Sequence, residues 1–258
     1  MRKIHLIGMG PGGLKYLTAQ AIAALRKVDV FFLLDKPGRG KTALGDARRR
    51  VLDLYRGPGA YRLVTAESPP RPPAQDNYLD VVADWHARKA DILAELFETN
   101  LAEGQTGGVL VWGDPALYDS SIAILRRIEA RNPGQFEIDV TPAVSSLNLL
   151  AARHAISLHE IGGDLLVTTA RRLLAGAAKG FESIVVMLDS NAAFARIDPE
   201  DFEIFWGAYL GTEHEVLMSG PLAKIGPALA ETVRREKQRH GWILDIYLLR
   251  RPAPEAAS

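Results

Sequence analysis

The sequence predicts an α/β protein made of two α/β domains, the first on a mostly parallel sheet and the second on a mixed one. Three observations carry that expectation. Between residues 4 and 152, short apolar runs alternate with segments of helical periodicity. The alternation lapses at the hinge-like His159-Glu160-Ile161-Gly162-Gly163, and a second series of strands and helices then runs to residue 249. The length of 258 residues exceeds that of a typical single domain. The expected division is 1–157 and 158–250, with the Pro- and Ala-rich residues 251–258 as a disordered tail.

Ile4-His5-Leu6-Ile7 is an apolar run closed by glycines, hence a buried strand, and residues 14–28 carry Leu, Ala and Ile at helical spacing. Val30-Phe31-Phe32-Leu33-Leu34 is a second buried strand ending at Asp35. A helix over 41–55 and a short strand over 61–65 follow, and Ser68-Pro69-Pro70-Arg71-Pro72-Pro73 then makes a stiff excursion. Leu79, Val82, Trp85, Ile92 and Leu96 recur at helical period without a breaker, which predicts one long helix over 76–101. Val109-Leu110-Val111-Trp112 is a strand stopped by Gly113-Asp114-Pro115, and a helix over 122–130 follows. A strand over 136–140 and a helix over 144–152, opening at Ser145-Ser146, complete the first series. In the second, 165–168, 184–188, 204–210, 215–218 and 242–249 read as strands, with helices over 171–178 and 224–239.

Lys plus Arg and Asp plus Glu each number 31, so the chain has no net charge and lacks the basic excess of a nucleic-acid-binding surface. The absence of cysteine removes disulfides, thiolate metal sites and thiol nucleophiles. The first residues lack the apolar run and cleavage site of a secretory signal, and no apolar stretch approaches the roughly 20 residues that span a bilayer. The expectation is a cytoplasmic protein with no membrane partner. The six histidines are scattered, without zinc-ligand spacing, so no metal is expected. Neither a G-x-S-x-G elbow nor a P-loop lysine points to a hydrolase or a kinase.

Gly8-Met9-Gly10-Pro11-Gly12-Gly13 joins the first strand to the first helix, and Gly8, Gly10 and Gly13 fit G-x-G-x-x-G. With Asp35 at the end of the second strand, this loop alone reads as an NAD- or FAD-dependent oxidoreductase. It reads equally as glycines that let strand and helix pack closely. Gly113-Asp114-Pro115-Ala116-Leu117-Tyr118 lies at the carboxyl end of another strand, the edge where open α/β sheets bind ligands, and Thr141-Pro142-Ala143-Val144-Ser145-Ser146 ends the next. Taken singly, the first is an Asp-Pro turn.

These three loops, in this order and spacing, resemble the V-G-x-G-x-G-D, G-D-P-x-x-Y and P-G-v-S-S motifs of the tetrapyrrole (corrin and porphyrin) methyltransferase family. Val185-Val186-Met187 and Ala208-Tyr209-Leu210-Gly211-Thr212-Glu213-His214-Glu215 extend the likeness over nearly the whole chain. The resemblance implies S-adenosylmethionine as methyl donor, S-adenosylhomocysteine as product, a tetrapyrrole substrate, a homodimer and an active site between two domains. Carried over by position, Gly113, Asp114, Tyr118, Ser145, Ser146, Met187 and Ala208 would contact the donor, and Gly10, Pro11 and Gly12 would face the tetrapyrrole. The family's acid after the glycine loop is Gly13 here, Leu188-Asp189 replaces a glycine after Met187, and Ala143 replaces another.

Within the family, Phe31-Phe32-Leu33-Leu34-Asp35-Lys36, the long helix and Trp242-Ile243-Leu244-Asp245-Ile246-Tyr247 resemble the deacetylating branch. That implies methylation at C-1 of precorrin-5 with the acetyl group lost as acetate, methylation at another precorrin position being the alternative. Such chemistry asks for a base toward water and a donor toward the developing oxyanion. Tyr118 is the expected donor, and Glu213 and His214 are candidate bases. The substrate carboxylates call for cations near strand ends, with Lys36 and Arg39 the first choice, then Lys41, Arg171 and Arg172, while Arg48-Arg49-Arg50 reads as a solvated helix face. A non-catalytic binding domain remains the reading if the missing acid signals lost activity.

Overall fold

Five apolar runs of the first half form strands β1 (Arg2–Gly8), β2 (Val30–Asp35), β3 (Arg62–Glu67), β4 (Thr106–Val111) and β5 (Phe136–Thr141). Between them lie α1 (Ala19–Lys27), α2 (Thr42–Arg56), α3 (Tyr78–Asn100) and α4 (Ser121–Arg131). The structure is a computed structural model that describes residues 1–12, 14–35, 42–70, 78–199 and 202–251. Gly13, Lys36, Arg39, Lys41, Arg71, the prolines at 72 and 73, and residues 252–258 of the expected tail lie outside the described residues.

The chain divides into two compact units, Met1–Ser145 and Ser146–Ser258. The first holds a five-stranded sheet in the order β3-β2-β4-β1-β5, every pair parallel. From β1 to β2 to β3 the chain steps one way across the sheet, and from β3 to β4 to β5 it steps the other. Right-handed crossovers then put the helices of the two runs on opposite faces. Ala21 and Leu25 of α1 and Val51 and Leu52 of α2 pack with Ile7 and Phe31. Leu93 and Phe97 of α3 and Ile124 and Leu125 of α4 pack with Leu6 and Phe32. The exit direction switches between the neighbours β1 and β4, so the crevice that takes ligands in open α/β sheets falls at their carboxyl ends.

The expected helix over 14–28 is interrupted. A 3-10 turn at Leu14–Tyr16 precedes α1, whose start is set by the Thr18 hydroxyl accepting the Ala21 N–H at 3.0 Å.

The second unit opens with α5 (Ser146–His154), followed by β6 (Leu165–Thr169), α6 (Ala170–Arg172), β7 (Ser183–Met187), β8 (Glu203–Ala208), β9 (Val216–Pro221), α7 (Leu222–His240) and β10 (Asp245–Arg250). Its sheet runs β6-β7-β10-β8-β9, with β6 and β7 parallel and the other pairs antiparallel, so it is mixed. The helix expected over 171–178 is only the single turn α6 and a π turn, Leu173–Ala177, bent at Gly176. Trp206, Tyr247, Phe194, Leu229 and Val233 centre the core.

The units divide before α5, whereas the sequence placed the division at 157/158. The alternation lapses only after α5, but its side chains pack on the second sheet. His154 Nε2 lies 3.1 Å from the Trp206 carbonyl oxygen, and a Cβ on Gly207 would sit 3.2 Å from Leu150 Cδ1. Residues 242–244 were expected in the last strand but precede it, because Tyr209 takes their carbonyls instead. Its N–H donates to Leu244 O at 2.9 Å and its hydroxyl to Trp242 O at 2.6 Å. Among the described residues, no helix is long and apolar enough to cross a membrane.

Candidate active site

Three loops meet at the carboxyl ends of β4, β1 and β5. Met9 N–H donates to Val111 O at 2.9 Å, Gly10 N–H to Gly113 O at 3.2 Å, and Gly113 N–H to Gly10 O at 2.9 Å. Asp114 ties in the third loop. Its Oδ2 accepts the Ala143 N–H at 2.7 Å, while its Oδ1 accepts the Ala116 N–H of its own turn at 2.8 Å. Gly8 makes this approach feasible, since a Cβ there would sit 2.7 Å from Ala143 Cβ and 2.8 Å from Pro115 Cδ. Gly113 has φ +78° and open space where a side chain would stand, leaving its backbone approachable. Tyr118, at the end of the same loop, is 44% exposed and held at φ 52°, a strained conformation of the kind that gathers at functional sites.

Asp35 is engaged elsewhere. Its Oδ2 accepts from an Arg49 guanidinium nitrogen at 3.0 Å, so the acid that would hold a ribose in the dinucleotide reading is committed to an ion pair. Arg48 also belongs to the structure rather than to a solvated face. The ladder between β2 and β4 stops at Phe32 and Val109, freeing the Leu110 carbonyl, and Arg48 Nε donates to it at 2.9 Å.

In the second unit β10 lies between β7 and β8 and sets Met187 opposite Ile246 and Ala208 opposite Asp245. Two buried acids sit there. Asp189 accepts from Asn191 N–H at 2.9 Å, Ala193 N–H at 2.6 Å and the Tyr247 hydroxyl at 2.8 Å. Asp245 accepts from Trp206 Nε1 at 3.1 Å on Oδ2, and among the described residues its buried Oδ1 has no partner. Burial first, and the Asp189 charge second, push the Asp245 carboxyl up to about 8. Leu188 (φ 57°, 57% exposed), Tyr209 (φ 51°) and Leu244 make the same strand ends apolar and locally strained.

Residues 3–226 match the family of Tetrapyrrole (Corrin/Porphyrin) Methylases. The chain belongs to the tetrapyrrole methylase family. It is 42% identical over 253 residues to a precorrin-6A synthase [deacetylating] of Sinorhizobium sp., covering 98% of this chain and 97% of that one. A precorrin-2 C(20)-methyltransferase of the same source is 30% identical over 147 residues, 55% of this chain and 54% of that one. Among solved structures, the cobalamin synthesis related protein CobF of Corynebacterium diphtheriae superposes with a TM-score of 0.81 at 32% identity, covering 97% of this chain and 99% of that one. A cobalt precorrin-4 methyltransferase, CbiF, at 16% identity and a TM-score of 0.67 over 96% of this chain and 94% of that one, shares the fold.

For a tetrapyrrole methylase the oxidoreductase reading of the glycine loop is therefore overturned, in keeping with the Asp35 ion pair. Of the expected site residues in the first unit, Gly10 and Gly113 meet through hydrogen bonds, Asp114 accepts from Ala143 N–H on the third loop, Gly12 N–H folds back on Gly10 O at 2.9 Å, and Tyr118 ends the loop. In the second, Ser146 opens α5 and Met187 and Ala208 flank β10. Lys36 and Arg39 fall outside the described residues. Asp189, Asp245, Glu236 and His240 are not among the site residues the sequence suggests, because single polar residues at irregular spacing carry no local signal of burial.

Proposed function

We propose that this chain is an S-adenosylmethionine-dependent C-methyltransferase of corrin biosynthesis that methylates C-1 of precorrin-5 and releases acetate, giving precorrin-6A. The observation that carries this is the 42% identity, over nearly the full length, to a precorrin-6A synthase [deacetylating]. The residues suit a sulfonium donor with an adenine. Gly113 leaves open space at its Cα beside the Asp114 turn, and Met187, Leu188 and Leu244 offer apolar surface at strand ends. In the first unit Gly113, Asp114, Tyr118 and Ser145 would contact the donor, and in the second Ser146, Met187 and Ala208. When bound, S-adenosylmethionine supplies an electrophilic methyl group. The protein's part in that step is alignment, which the cross-tied loops favour by holding their shape in advance.

Gly10, Pro11 and Gly12 would face the tetrapyrrole, with Lys36 and Arg39 toward its carboxylates. Deacetylation adds a water and a carbonyl oxygen that gains charge. Tyr118 is the proposed donor to that oxygen, and Glu213 and His214 are the candidate bases. A homodimer and a cytoplasmic setting accompany the reading, and gel filtration of the purified protein tests the first.

The deciding experiment is incubation with precorrin-5 and S-adenosylmethionine, with mass analysis of the pigment and an assay for acetate. One methyl gained with one acetate released is expected. Methyl gain without acetate would point to another precorrin position. Binding of NAD or FAD in place of S-adenosylhomocysteine would overturn the reading.

A further inference from the structure

We propose that His214, backed by His240 and the buried Glu236, is the base that takes the proton from the water attacking the acetyl carbonyl, an assignment that rests on the deacetylating reading above. The His214 and His240 rings stack with centroids 4.5 Å apart and planes 36° from parallel. His240 Nε2 lies 3.6 Å from Glu236 Oε2, whose side chain is 6% exposed, whereas that of His214 is 50% exposed. From solvent inward the order is imidazole, imidazole, carboxylate. A proton arriving at the outer ring therefore meets a buried negative charge two groups behind it.

The pair is held by structure. Thr212 Oγ1 donates to Tyr209 O at 2.7 Å and accepts the His214 N–H at 3.1 Å, and Gly211 N–H donates to Glu215 Oε2 at 2.7 Å. Arg153 clamps the other Glu215 oxygen at 2.7 Å. The Tyr209 ring meets that of His240 edge-on at 5.0 Å, and Tyr209 follows directly on Ala208, a proposed donor contact.

Charged neighbours decide the protonation state. Two imidazolium ions at this separation repel, so a proton on one ring disfavours a second on the other. Burial pulls the His240 pKa down, His214 and Arg239 add to that, and Glu236 opposes it, while Arg235 Nε sits 3.3 Å from Glu236. A neutral imidazole is a competent proton acceptor. Glu213, 3.9 Å from His214 and with its side chain 88% exposed, lacks any such backing.

In the step itself, one water proton passes to His214 and the oxygen bonds to the acetyl carbonyl carbon. The bond from that carbon to C-1 breaks, and its electron pair stays on C-1 and forms the bond to the incoming methyl carbon. The sulfur of the methyl donor keeps the pair of its broken bond. Acetic acid leaves, and His214 returns its proton to solvent.

Acetate release by His214→Ala should fall about 10²- to 10⁴-fold, with S-adenosylhomocysteine affinity unchanged and activity partly restored by added imidazole. Glu236→Gln, which removes the negative charge behind the pair, should move the acidic limb of the pH profile for acetate release to lower pH, and His240→Asn, which removes the competing proton site, should move it to higher pH. Undiminished acetate release by His214→Ala would overturn the assignment, as would a loss that imidazole does not restore together with an unmoved pH profile in the other two variants. If the wild-type protein itself methylates without releasing acetate, the deacetylating reading is what fails.

Discussion

Asp189 and Asp245 are neighbouring buried acids in different circumstances, one accepting from two backbone N–H groups and a tyrosine hydroxyl, the other from an indole N–H with its second oxygen buried and without a partner among the described residues. Burial first, then the neighbouring Asp189, push the Asp245 carboxyl up to about 8. Because the folded value lies above the reference 3.8, the stability linked to Asp245 is fully present below pH 3.8 and declines as pH rises to about 8. An asparagine resembles the neutral acid in shape and donor capacity. Asp245→Asn should therefore match the wild type in urea unfolding below pH 3.8 and exceed it by a margin that grows as pH rises toward about 8. A difference independent of pH would contradict the assigned state. Asp114 poses the converse case, because its carboxylate organises two backbone N–H groups on separate loops. Asp114→Ala should weaken S-adenosylhomocysteine binding by about 1–3 kcal/mol in calorimetry while circular dichroism stays native.

Glycine or proline follows β1, β3, β4 and β5 within a few residues, and the loops after β1, β4 and β5 converge because those three strands are neighbours. Gly8→Ala would set a methyl group against Ala143 and Pro115 at distances that force the loops apart. A loss of about 1–3 kcal/mol in unfolding, with weaker S-adenosylhomocysteine binding, is the expected outcome. α5 offers a second test at this scale. Leu150 is fully buried and lies against Gly207 of β8. Leu150→Ala should cost about 2–5 kcal/mol in urea unfolding; an unchanged unfolding free energy would argue against α5 packing there. Helices, strands and their order were largely legible from periodicity and breakers. The allegiance of α5 was not, since an amphipathic helix carries no label for the sheet it will cover.

Taken as a whole molecule, the chain has no net charge, so its response to pH is set by particular buried groups rather than by general repulsion. His5, packed 3.0 Å from Thr141 Oγ1, and His154, against the Trp206 carbonyl, both have pKa values lowered first by burial, as does His240. A lowered folded value means stability that is present above the reference pKa of 6.5 and lost as pH falls through the folded values. Between about pH 6.5 and 5 this loss opposes the gain linked to Asp245, so the single variant isolates it: acidification should lower the urea midpoint less in His154→Gln than in the wild type, and an identical pH response of the two would refute the account.

The α/β class, most of the elements and the three loop motifs that resemble the family are written in local stretches of sequence. Each depends on residues close together in the chain, where hydrophobic period, glycine and proline act directly on the backbone. Tertiary structure alone decided the rest. The order β3-β2-β4-β1-β5 brings the glycine loop against Gly113, and the pairing of β10 with both β7 and β8 buries Asp245 beside Asp189. Likewise, Asp114 finds its second donor in Ala143, 29 residues away, and Arg48 finds a carbonyl only because β2 and β4 part above it. Burial, and with it the charge state of an acid or a histidine, depends on which distant surfaces close over a side chain. Local spacing does not encode that.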